Sequence, residues 1–63
     1  MDGKIELQLY LNDEGLRALG QFIKRVSWAE YRSCAVDDSE AYQIRHAVEE
    51  LYTALVLAGF RPR

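Results

Sequence analysis

Apolar and polar residues alternate without a break from Lys4 to Leu11. Ile5, Leu7, Leu9 and Leu11 fall on one side, and Lys4, Glu6, Gln8 and Tyr10 on the other. A period of two predicts a strand with one buried face. From Asn12 the period changes. Leu16, Leu19, Ile23 and Val26 recur at steps of three and four, with Phe22 beside the stripe, which predicts an amphipathic helix. Asn12 is a good N-cap, Asp13 and Glu14 suit the positive end of the helix dipole, and Lys24 and Arg25 suit the negative end. Gly15 and Gly20 each weaken this helix by about 1 kcal/mol relative to alanine, and Gly20 marks a position where a second helix can approach closely.

Two further helix starts follow. Ser27 and Glu30 stand at capping-box spacing, so a short helix begins at Trp28, with Val26 as the apolar residue before the cap. Asp37 and Glu40 repeat that spacing. Behind them Ala41, Ile44, Val48, Leu51, Leu55 and Ala58 form a continuous stripe, flanked by Ala47 and Ala54. Gly59 is placed to take the left-handed position after the helix, Phe60 to fold back on the last turn, and Pro62 to stop the chain. The expected fold is therefore α+β and mostly helical. One N-terminal strand precedes three helices (β-α-α-α) in a single small domain, residues 1–63. A lone strand cannot satisfy its own backbone groups, and no second strand is legible. Strand Lys4–Leu11 is thus expected to pair with the same segment of a second copy, giving a homodimer, or to join a partner's sheet. Loose pairing with the C-terminal tail is the plainer alternative.

The totals narrow the function. A chain of 63 residues buries only about 60% of the surface it exposes when unfolded, so a partner surface would stabilise it. Hydrophobic residues make up 49%, too many for a disordered tail. Eight basic and ten acidic residues leave a net charge of −2, without the basic excess of a free-standing DNA binder or the strong acidity of a DNA mimic. Cys34 is the only cysteine, so no internal disulfide and no Cys-rich metal site is expected. "MDGKIELQLY" lacks the apolar run of a signal peptide, and no stretch approaches a membrane span. A reducing cytoplasm is the expected setting.

Three clusters are candidates for chemistry. Asp37, Asp38 and Glu40 put three acids into four residues. They lack the further ligands and the glycine turn of a calcium loop, and read first as a helix start, then as an acidic knob for a basic partner. Cys34 and His46 have the chemistry of a nucleophile and a base, but lie on separate helices with no orienting third group. The plainer reading is a half-buried thiol and an imidazole paired with Glu50 one turn on. Lys24, Arg25, Trp28, Tyr31 and Arg32 interleave cations with aromatics. Such a set fits a protein-binding hot spot or stacking on single-stranded nucleic acid, unless Trp28 is core and Arg32 covers its face. A helix-turn-helix is disfavoured, because the last helix carries Glu40, Glu49 and Glu50 against Arg45 alone. No nucleotide, zinc-protease or redox motif is present. No metal, cofactor or catalysis is expected.

The segments "QF-KRV" (Gln21, Phe22, Lys24 to Val26), "YR--AVDD-EAY--R-A---L" (from Tyr31) and the terminal "AGF-PR" together cover most of the chain. On them, the sequence resembles short bacterial proteins carried on phages and other mobile elements, a setting that includes anti-CRISPR inhibitors. The resemblance implies a non-enzymatic inhibitor in a bacterial host cell. It would bind a type I CRISPR surveillance complex and block target DNA binding, without chemistry of its own. The expected contacts are an acidic face (Asp37, Asp38, Glu40, Glu49, Glu50) or the segment holding Trp28, Tyr31 and Arg32. The competing reading is a nucleic-acid-binding accessory of a mobile element, using Lys24, Arg25 and Arg32.

Overall fold

The computed structural model describes residues 3–61. Among them are three helices, α1 (Asp13–Arg25), α2 (Trp28–Ser33) and α3 (Asp38–Leu57), and no strand. The fold of the described chain is therefore all-α, which corrects the expected β-α-α-α order. Residues 3–11 run without helix, turn or bend, and none of them shares a backbone–backbone hydrogen bond with another described residue. Their alternation is real, but a strand exists only when a second one completes its ladder, and the described residues supply none.

The helix ends are set by local chemistry. Asn12 caps α1, its Oδ1 accepting from Gly15 N at 2.7 Å. Asp37 caps α3, Oδ1 accepting from Glu40 N at 2.9 Å. A residue of this kind at a cap is worth about 1 kcal/mol over alanine. At α2, Glu30 Oε1 reaches back and accepts from both the amide and the hydroxyl of Ser27, each at 2.6 Å. Helix α3 closes in a full Schellman motif. Phe60 N donates to Leu55 O at 2.9 Å and Gly59 N to Val56 O at 3.0 Å. Gly59 sits at φ 121°, where a side chain would be strained. Pro62, expected to stop the chain, lies outside the described residues.

The hydrogen bonds from Ser27 hold the Glu30 carboxyl below the usual carboxylate range. The side-chain bond acts most strongly and the backbone bond adds to it. A lowered folded-state pKa means that this contribution is present above the unfolded glutamate pKa of about 4.3 and lost as pH falls through the folded value. An acid titration followed by NMR is expected to shift the Ser27 amide resonance with a midpoint below that of an unstructured glutamate. Glu30→Gln is expected to abolish the titration.

Helices α1 and α2 both pack on α3. The molecule is flat, 34 × 30 × 15 Å, close to one layer of helices, each about 10–12 Å across. Burial is correspondingly thin. Ile23, Leu55 and Phe60 form the core cluster, with Leu16, Leu19, Val48, Leu51 and Tyr52 half-buried around it. Tyr52 meets the Phe60 ring edge-on, with centroids 5.9 Å apart. Gly20 is buried against that ring. Ala41, fully buried at the start of α3, lies outside the cluster. Phe22 and Leu57, apolar by sequence, stay largely exposed.

Candidate functional site

The acidic cluster is tied into the junction between α2 and α3. Asp37 caps α3. Glu40 Oε1 accepts from Val36 N at 2.8 Å, one residue before the amide that a standard capping box would use. Asp38 Oδ1 takes Arg32 Nε at 2.6 Å, and Arg32 Nη1 also donates to Ala35 O at 3.2 Å. Each of the three acids thus holds a backbone or side-chain donor from the α2–α3 junction. Glu49 is paired one turn back with Arg45 at 3.3 Å. Glu50 is exposed, and the expected His46–Glu50 pair is not formed among the described residues.

Arg32, engaged by Asp38, does not lie over Trp28. The indole instead meets Tyr42 of α3, with ring centroids 4.7 Å apart and planes at 44°. Both rings keep solvent contact, Trp28 at 37% and Tyr42 at 53% exposure. Tyr31, half-buried, lines a separate shallow pocket with Ile23, Val48 and Tyr52. The structure therefore brings Trp28 together with Tyr42, and Arg32 together with Asp38. It puts Tyr31 against the middle of α3. Tyr42 escaped the sequence reading because it lies fourteen positions from Trp28 and no local pattern joins them.

The second surface is apolar. Ile5, Leu7, Leu9 and Leu11 form one wall of an open trough of about 620 Å³. Leu51, Ala54, Leu55 and Ala58 of α3 and its end form the other, with Asp13 and Glu50 also lining it. Of the arm, the odd-numbered residues line the trough, so alternate residues share a side, but that side is exposed and is not the buried strand face that a period of two predicts. Ile5 and Leu7 remain 86% and 82% exposed.

Cys34 is exposed at the C-cap of α2, and His46 is exposed on α3. No three His, Cys, Asp or Glu side chains among the described residues are grouped to hold a metal ion. No described helix is long and apolar enough to cross a membrane.

These features define a class: a small three-helix domain with a one-layer core, an apolar N-terminal arm and a surface aromatic pair. Within that class, the chain belongs to the Family of unknown function (DUF7706), whose model matches residues 1–63. No curated protein and no solved structure matches it.

Proposed function

We propose that this protein is a non-enzymatic protein-binding module that acts by covering a surface of its target. The observation that carries the reading is the Trp28–Tyr42 pair, 4.7 Å between centroids and open to solvent on both rings, beside a turn fixed by the Arg32–Asp38 ion pair. Trp, Tyr and Arg dominate binding hot spots, and the two aromatics offer large contact area at low cost in conformational entropy. Here two helices hold the rings before any partner arrives, which lowers the ordering cost of binding. The acidic set Asp37, Asp38 and Glu40 supports the pair by fixing the turn, and leaves a rim of negative charge for a basic partner.

The particular target favoured by the resemblance to phage-borne proteins is a type I CRISPR surveillance complex, with target DNA excluded. The test is capture of purified type I effector by the tagged protein, followed by competition with target DNA. Trp28→Ala and Asp38→Lys are each expected to weaken capture by roughly tenfold or more, on the hot-spot scale of about 2 kcal/mol, while circular dichroism stays helical. Failure to bind any type I effector removes this target. A shift of DNA by the protein alone, falling steeply with salt, replaces the reading with the nucleic-acid accessory using Lys24, Arg25 and Arg32.

A further inference from the structure

We infer that the trough between the N-terminal arm and α3 is filled by the arm of a second copy of this chain, in one definite register. The surface is separate from the Trp28–Tyr42 pair, and the inference does not depend on what that pair binds.

The argument starts from what the arm lacks. Residues 3–11 carry unpaired backbone groups among the described residues. Ile5 and Leu7 line an apolar trough yet remain almost fully exposed. The chain is one layer thick, whereas a stable domain buries its apolar stripes between two layers. An occupant must therefore supply both backbone partners and apolar side chains at a spacing of two. The arm itself has this composition, so a second copy meets both needs through a two-fold axis.

The register follows from parity and apolar pairing. In an antiparallel pairing, residues i and j lie opposite each other when their numbers share a constant sum. An odd sum sets each apolar residue against a polar one, which sends the two apolar rows to opposite faces. Among even sums, 12 sets Glu6 against Glu6, a like-charge pair. A sum of 14 leaves Leu11 facing Gly3. A sum of 16 pairs Ile5 with Leu11 and Leu7 with Leu9, so every apolar residue of one arm meets one of the other. It also sets Glu6 against Tyr10, and Gln8 against Gln8 at the two-fold axis, where two amides can bond each other. Lys4 of each copy then falls opposite Asn12, beside the acidic first turn of α1 with Asp13 and Glu14. Apolar pairing thus selects this register, and the placement of charges is compatible with it. The described single chain is all-α, and the ladder belongs to the dimer alone.

The experiment measures mass by light scattering and sedimentation across micromolar to millimolar concentration, with the full chain. The unsubstituted protein is expected to reach twice the monomer mass. Leu9→Lys, which introduces one charge per copy into the shared row, is expected to weaken the dimer by more than about tenfold. Its helical circular dichroism should be unchanged, because Leu9 is more than half exposed in the single chain. In a Cys34→Ser background, Gln8→Cys is expected to cross-link rapidly under mild oxidation. Glu6→Cys is not, since each residue 6 lies opposite residue 10, roughly 14 Å along the strand from its counterpart. A monomer at every concentration, or a dimer indifferent to Leu9→Lys, overturns the proposal. Cross-linking at 6 as fast as at 8 overturns the register.

Discussion

Gly20→Ala is expected to destabilise this protein, although alanine is the better helix former by about 1 kcal/mol. Gly20 lies inside α1, and a methyl group built there overlaps three carbons of the Phe60 ring. Phe60 is 4% exposed and belongs to the core cluster with Ile23 and Leu55. Its main chain is held by the Schellman bond to Leu55 O, so the ring cannot move away without leaving the core. Overpacking of this kind costs about 1–3 kcal/mol, and expulsion of a phenylalanine about 3–5 kcal/mol. Either outweighs the gain in propensity. The sharper form of the test is a double-mutant cycle. Phe60→Ala alone is expected to cost about 3–5 kcal/mol by cavity formation. In that background Gly20→Ala is expected to be neutral or stabilising, because the methyl group then fills space instead of colliding. The coupling between the two sites should be at least about 1 kcal/mol, read from urea midpoints. An additive cycle would show that the ring and the glycine do not meet.

Leu55→Ala is expected to have the largest effect of any single truncation in α3, about 2–5 kcal/mol. Leu55 is 4% exposed, belongs to the core cluster and also lines the arm trough. Native domains are stable by only about 5–15 kcal/mol, and small ones sit at the low end. The substitution is therefore expected to lower the urea midpoint steeply and to leave a measurable unfolded fraction in water. Leu57→Ala, two residues on and 83% exposed, is expected to change stability by no more than about 0.5 kcal/mol. Equal effects at the two positions would contradict the packing described.

The ends of the helices were legible because they depend on residues three or four apart. Asn12, Ser27 and Asp37 each start a helix at the expected place. Gly59 and Phe60 end α3 through the bonds their spacing predicts. Pairings across turns were less legible. One of the readings open in the sequence put Arg32 over Trp28 at one helical turn, yet Asp38, six positions on, holds it with a charge-assisted bond. That leaves Trp28 to Tyr42. Gly20 was expected to admit a neighbouring helix. What it admits is an aromatic ring from the C-terminal turn, forty positions away, which no local pattern announces.

The N-terminal arm marks the boundary most clearly. Its own sequence determines that Ile5, Leu7, Leu9 and Leu11 share a side, because backbone stereochemistry turns alternate residues of a straight chain to opposite faces. The trough lining preserves that division. Sequence also determined the three helices, their caps and the acidic start of α3, all through contacts within one or two turns. Only the tertiary structure decided that the arm finds no strand to pair with inside the described chain. It alone decided that the acids brace the junction of α2 and α3, and that Phe60 rather than a helix packs on Gly20. The physical reason is common to all three. A local element is stabilised by its own neighbours in sequence, whereas a ladder, a cross-turn ion pair and a packed ring each need a partner that only the folded chain brings within reach.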